Sequence, residues 1–511
     1  MPTRVALCVL LCALACGTAF AQKVKVEWRE TKYETGELRE RYSVQVAANG
    51  NETRWGEYKE YFRSGKLRTT GEFKDGKRDG TWTFLHENGQ RRQLGVYVAG
   101  TQQGEWTTWH ASGKKESQGK FKDGKRDGKW EWWYGSGRKS AELYYKEGAR
   151  EGRYVTWADN GTRTLQGQFK GDKEDGKWER WHVNAQLAES GRYTLGAKTG
   201  RWDSWYEDGK VQEQIEYKGA GRAGMWKRWH RTGNLEFEGE CLDGLHHGNW
   251  ANYYADGVKE SAGRYESGNR TGTWTWWHEN TARKQEGAYE KEGGRRTGRW
   301  TSWYDNTAKA TEGSYEGGER NGAWTVWHTG GEKQVDCIYK SGELSGQWTR
   351  YHANGKKAAE GQYAEGMRNG RWTLWHDNGE KAAEGEYMAD DREGLWQTWH
   401  RNGSLDSHGN YNQGKQAGKW QHWWDNGHKR LTCAFDSEGR RSGNWTWFTR
   451  EGKKLADGAF KDDWLEGWYR EYGSDGAVRF EKFYKEGFEA DPPKSSDTPD
   501  GKPSEKPGNG E

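Results

Sequence analysis

Gly370-Arg-Trp372-Thr-Leu-Trp375-His376-Asp-Asn378-Gly379-Glu-Lys-Ala-Ala-Glu-Gly385-Glu-Tyr387-Met-Ala-Asp-Asp-Arg-Glu-Gly394 is one period of a sequence that repeats itself. Its opening, Gly-x-aromatic-x-x-aromatic, recurs eighteen times, with Leu85 in place of the second ring in one unit and the first aromatic running from Tyr58, Trp82 and Trp106 to Trp445 and Tyr469. Fifteen of the seventeen intervals are 24 residues; Trp274 to Trp300 is 26 and Trp420 to Trp445 is 25. A fixed period of this length means stacked supersecondary units, so chain length sets the number of units rather than the number of cores. Within the period an aromatic, Thr-containing run reaches Asn378-Gly379, a second run ends at Tyr387, and a Gly/Asp-rich turn leads onward. Two strands and two turns fill 24 residues and leave no room for a helix. The unit is a β-hairpin. The Asn-Gly pair, repeated at Asn88-Gly89, Asn160-Gly161, Asn354-Gly355, Asn402-Gly403 and Asn426-Gly427, predicts a type I′ turn with positive φ at both central residues.

Two columns of glycine accompany the rings. The first, here termed the lead glycine, stands two places before the first aromatic in all eighteen units, from Gly56 to Gly467. A glycine required at every strand start predicts positive φ or a close backbone approach. The second, the seat glycine, stands two places before the third aromatic, as at Gly71, Gly95, Gly119, Gly167, Gly191, Gly263, Gly361 and Gly385. Strand alternation puts it on the face of that aromatic, and its bare Cα offers a patch on which a neighbouring ring can lie.

The first and second aromatics are three apart and so point to opposite faces. Cross-strand ring pairs on both faces then predict stacking of Trp375 against Trp399 and Tyr351. The fold expected is all-β: an elongated, single-layer antiparallel sheet, a β-solenoid-like array of about eighteen 24-residue hairpins. Composition agrees. Hydrophobic residues make up only 32% of the 511, yet there are 35 Trp, fifteen in the first aromatic column and twelve in the second, so tryptophan supplies the burial. Charged residues are 31%, with a net charge of +4 and both signs interspersed, which excludes the single-sign stripe of a nucleic-acid groove.

The ends differ from the array. Residues 1–21, with Arg4, the apolar run Val5–Ala15 and Ala19-Phe20-Ala21, form a signal-peptide pattern with a cut between Ala21 and Gln22. The alternative is lipid anchoring at Cys16. The apolar run is shorter than the ~20 residues a bilayer needs, and no later segment is apolar enough to span one. Residues 22–55 read as a degenerate capping segment, 56–488 as the array, and 489–511, rich in Pro, Lys and Ser, as a disordered tail. Proline is absent from Thr3 to Asp491, as continuous strand pairing requires.

Candidate chemistry is sparse. A His follows the second aromatic in nine units (His86, His110, His182, His230, His278, His328, His352, His376, His400), with Tyr134, Tyr206, Tyr254 or Tyr304 in others. Adjacent members one unit apart are ~9.5 Å from each other, too far to share a metal ion whose ligands stand near ~2.1 Å, so half-exposed rings are expected and no metal or cofactor. Cys241, Cys337 and Cys433 are spaced by four units each, ~40 Å, and are expected as free thiols. No nucleophile, zinc-protease or phosphate-loop motif is present, and carboxylates recur in every unit, whereas an active site is singular.

The G-x-W-x-x-W, N-G, E-G-x-Y and D-G-x-x-x-G elements together resemble the MORN-repeat variant family, which includes proteins labelled YwqK-like antitoxins. The resemblance covers Gly56 to about Tyr484. It implies single-layer sheets of successive hairpins that serve as scaffolds or interaction surfaces. The function expected is an exported, non-enzymatic scaffold that binds another protein. The candidate binding ladder is the second aromatic column: Trp109, Trp133, Trp157, Trp181, Trp205, Trp229, Trp277, Trp303, Trp327, Trp375, Trp399 and Trp423. Alternatives are carbohydrate or choline binding by the same rings, and binding to a membrane surface.

Overall fold

The computed structural model describes residues 25–219 and 221–493. Among these residues every regular element is a β-strand. The chain divides into two compact units, one reaching Gly233 and including Cys241–Gly244, the other comprising Asn234–Glu240 and Leu245 onward. In the first unit each strand from Lys25–Lys32 to Gly221–Trp229 pairs antiparallel with its sequence neighbours. The second repeats this from Leu245–Tyr253 to Phe488–Glu489. Each unit is an open sheet, and no helix or second strand layer covers it among the described residues. The proposed cleavage site at Ala21 and Gln22, and residues from 494 onward, lie outside the described residues. The capping segment supplies a hairpin, Lys25–Lys32 with Leu38–Val46, which pairs onto Glu52–Tyr61.

The type I′ turn falls in a different place from the one expected. At Asn378-Gly379 only the glycine has positive φ (93°); Gly379 N–H donates to His376 O and His376 N–H donates to Glu380 O. This is a three-residue loop ending in a left-handed glycine. Asn378 is held instead by its side chain, whose Oδ1 accepts from the N–H of Glu380. The two-residue turn with positive φ at both positions joins successive hairpins, as at Asp75-Gly76 (51° and 75°) and Glu365-Gly366 (52° and 76°). This second turn also absorbs the two longer intervals. It becomes Glu290–Arg295 in one and Asp436–Arg440 in the other, and the flanking strands keep their register.

All eighteen lead glycines have positive φ, between 62° and 94°. The pairing shows why. Thr70 faces Thr83 and Glu72 faces Asp79, so Gly71 alone opposes Gly80, Thr81 and Trp82. The lead glycine opens a bulge that swings the first-column ring over the seat glycine. A Cβ at Gly71, Gly95, Gly263 or Gly385 would fall within 3 Å of Trp82, Trp106, Trp274 or Trp396 respectively. Each ring also packs edge-on against third-column tyrosines: Trp396 stands 5.0 Å from Tyr387 and 6.1 Å from Tyr411, both near perpendicular. Its Nε1–H donates to Glu386 O at 3.0 Å, and Arg392 lies 4.5 Å from the ring centroid. Trp82 and Trp274 have 0% exposure. This row of rings is the core, and it lies on one face of the sheet.

At three of the four seats occupied by a side chain, the next ring gives way. Leu143 precedes Tyr154, Ile215 precedes Trp226 and Cys337 precedes Trp348; these rings are only half-buried, and their lead glycines open to 79°, 94° and 89°, whereas Trp445 after Cys433 stays buried with Gly443 at 64°. Cys241, Cys337 and Cys433 are free and buried, and burial pushes the Cys337 and Cys433 thiols up to about 11 and about 12. A thiol raised above its ordinary value favours the folded state at neutral pH, and that contribution is lost as pH rises through the raised value.

Candidate functional site

The second aromatic column occupies the other face, and the structure corrects the stacking expected there. All twelve candidate rings, from Trp109 to Trp423, are half-buried. Trp375 forms no ring pair with Trp399 or Tyr351. Lys357 lies 5.7 Å from its ring centroid instead. The same contact recurs at Lys115–Trp133 (5.7 Å), Lys139–Trp157 (5.7 Å), Lys309–Trp327 (5.6 Å) and Lys381–Trp399 (5.5 Å). The cation in turn bonds a carboxylate three residues on, as in Lys309–Glu312 at 2.8 Å and Lys381–Glu384 at 2.6 Å. Rings one unit apart, two strands at ~4.8 Å, are too distant to touch one another, and an aliphatic stem with a charged head fills the interval. The face is a regular field of indole, ammonium and carboxylate.

The histidine column is a stitch. His86, His110, His182, His278, His352, His376 and His400 place Nε2 at 2.8–3.0 Å from the carbonyl of the next unit's second-column tryptophan. Against a carbonyl, Nε2 is the donor. Tyr134, Tyr206, Tyr254 and Tyr304 donate to the equivalent oxygen at 2.7–2.9 Å. The turn asparagines add a second stitch: Asn88, Asn354, Asn378, Asn402 and Asn426 donate Nδ2–H to the following turn, each at 2.7 Å. The exchange of His for Tyr in the sequence is explained by this shared need for a ring-borne donor. His376→Tyr is therefore expected to be nearly neutral, while His376→Phe strands the Trp399 carbonyl and costs about 1 kcal/mol in chemical denaturation. Equal stability of the two variants would remove the stitch.

One stretch departs from the columns. The positions two after a first-column ring and two before a seat glycine form a continuous cross-strand row beside the core. In the first unit Glu60 is followed by Thr69, Phe84, Gln93, Thr108, Ser117, Trp132, Ala141, Thr156 and Leu165, uncharged from Thr69 on. It continues Arg180, Glu189, Ser204, Glu213, Arg228. These five, with Trp181, His182, Ala188, Trp205 and Gln212, line a groove of about 550 Å³. Arg180 pairs with Glu189 at 2.7 Å, Lys198 with Glu189 at 2.9 Å, and Trp226 Nε1–H donates to Glu213 at 2.8 Å. The strand leading into the groove is interrupted, Lys173–Glu174 then Gly176–Trp181. Among the described residues no group of three or more His, Cys, Asp or Glu is placed to hold a metal ion, and no helix is long and apolar enough to cross a membrane.

The MORN repeat variant model matches residues 56–75, 102–123, 198–218, 344–365 and 392–413, each running along a hairpin described above. No curated protein matches the chain. Among solved structures it is similar to a chain of the Photorhabdus luminescens Tc holotoxin pore, at 11% identity over 89% of this chain and 26% of that one, with a TM-score of 0.13. It is also similar to a chain of TcdB2-TccC3, at 10% identity over 89% of this chain and 29% of that one, with the same TM-score. The chain thus spans less than a third of the length of either, and at that TM-score the likeness carries no weight for the fold. Lead glycine, seat glycine and three aromatic columns recur along both units, and at five positions the chain carries MORN-variant repeats.

Proposed function

We propose that the chain is an exported, non-enzymatic scaffold that docks another protein on the second-column face. The observation that carries this reading is the unequal use of the two ring columns. First-column rings are consumed by folding, down to 0% exposure, whereas second-column rings stay half-exposed in a regular field of paired charges. Half-wet tryptophans beside Lys and Glu match the mixture of aromatic anchors and polar surroundings that protein interfaces use. The alternatives fit this face less well. Choline needs rings converging within ~6 Å, and these stand about two strands apart. Sugar stacking has to displace the ammonium that stands over six of the twelve indoles, and a lipid surface favours net positive charge over balanced pairs.

The test is capture from an envelope extract, followed by rebinding of the identified partner in purified form to the full chain. The triple variant Trp375→Ser, Trp399→Ser, Trp423→Ser is expected to weaken binding by at least about a hundredfold while leaving the circular dichroism spectrum unchanged. Unaltered affinity in the triple variant sinks the docking face. Export is tested separately, by sequencing the mature N-terminus: a start at Gln22 supports it and an intact Met1 contradicts it.

A further inference from the structure

We propose that the groove around Ser204 is a binding site for a short neutral saccharide, distinct from the Trp375–Trp423 stretch of the docking face although Trp181 and Trp205 of the same column line it. Three observations meet there. The first is the missing ring. Elsewhere in the row Phe84 and Trp132 stand 6.2 Å and 6.0 Å from the core rings Trp82 and Trp130 and cover them. At Arg180, Ser204 and Arg228, as at Thr108 and Thr156, no aromatic fills that place, and around Ser204 the space is the groove. Its volume is within the ~300–1,000 Å³ of small-ligand sites.

The second is an orphaned donor. First-column indoles satisfy Nε1–H on an oxygen, as Trp130 does on Lys120 O (3.0 Å) and Trp202 on Arg192 O (3.1 Å). Trp178 is 7% exposed, and among the described residues its Nε1 is the one buried indole nitrogen with no partner. A buried donor left without a partner is unfavourable, so an acceptor brought to it on binding is a gain. Trp178 lines a smaller hollow of about 200 Å³ that shares Arg180 and Glu189 with the groove.

The third is the charge arrangement. Glu189 is neutralised by Arg180 and Lys198, and Glu213 already accepts from Trp226. A charged ligand would have to break these contacts. Hydroxyl groups need not: each carboxylate keeps lone pairs to accept an O–H, and the guanidinium fork keeps N–H groups to donate. Planar acceptors and donors in alternation, with Ser204 between them, suit the paired donor and acceptor character of vicinal hydroxyls.

The experiment titrates the full chain with maltose, cellobiose and chitobiose by calorimetry. At least one is expected to bind with a dissociation constant of about 1 mM or tighter. The double variant Arg180→Thr, Glu189→Ser installs the pair found at Thr108 and Ser117, whose hydroxyls hydrogen-bond at 2.6 Å within the same row. It is expected to fold and to bind at least about tenfold more weakly. Trp178→Phe removes the orphaned N–H and replaces the indole with a smaller ring, and is expected to lose affinity together with some thermal stability. Trp375→Ala, on the docking face, is expected to bind normally. The proposal is overturned if none of the three sugars binds, or if binding survives both groove variants.

Discussion

Trp396→Ala is expected to destabilise its part of the array by about 3–5 kcal/mol, the range for removing a fully buried large ring. Trp396 is 2% exposed, lies on the seat glycine Gly385, and is gripped edge-on by Tyr387 and Tyr411. Alanine also leaves Glu386 O without its indole donor and Arg392 without the ring beneath its guanidinium. In a nearest-neighbour array the loss is felt by the flanking hairpins and fades with distance. Chemical denaturation should show a new early transition involving a fraction of the chain. A transition as late and as sharp as that of the unmutated protein would mean the ring contributes little.

Gly385→Ala approaches the same contact from below. A Cβ there would sit within 3 Å of three atoms of the Trp396 ring, so the indole must lift or the strand must move. Overpacking of this kind costs about 1–3 kcal/mol. The chain contains its own precedents at Leu143, Ile215 and Cys337, where the following ring is half-buried and the lead glycine opens wider. The expected structural outcome is therefore specific: Trp396 becomes partly exposed and the φ of Gly394 rises from 64° towards the 79–94° seen at those sites. Gly370→Ala acts differently, because nothing lies within 4 Å of its Cβ direction and the cost is the left-handed backbone alone. A Gly385→Ala protein as stable as the parent, with an unmoved Trp396, would refute the seat.

The hairpin architecture was legible because three independent signals share one period: the ring pair, the lead glycine and the seat glycine. Spacing of three also placed Trp372 and Trp375 on opposite faces, as observed. What spacing could not say is which face packs. That is decided by the bulge at Gly370, Arg371 and Trp372 opposite Gly361, which rotates the first ring onto bare backbone and leaves the second with Lys357. The misplaced type I′ turn has a similar origin. Asn378-Gly379 carries its strong signal, but the Asn side chain and the donor ring of His376 favour a longer loop, and weaker-looking pairs such as Glu365-Gly366 make the tight turn. The His column was legible as half-exposed rings rather than ligands; the carbonyl that seven of its members meet is visible only in three dimensions. The groove was missed for the opposite reason. Arg180, Glu189, Ser204, Glu213 and Arg228 are unremarkable in a charged sequence, and they form a row only once register is known.

One ring column folds the chain, and the other is proposed to be left for a partner. Native-state hydrogen exchange on a matched pair of variants, Trp396→Ala and Trp399→Ala, tests this division most directly, because the two rings are three residues apart on the same strand. The account predicts that Trp396→Ala accelerates exchange in its own hairpin and one or two neighbours on each side, leaving distant hairpins unchanged. Trp399→Ala, which removes a half-exposed ring held mainly by Lys381, should cost about 1 kcal/mol and leave the pattern close to that of the parent. Equal acceleration by both substitutions, or uniform acceleration along the whole chain by either, would contradict it.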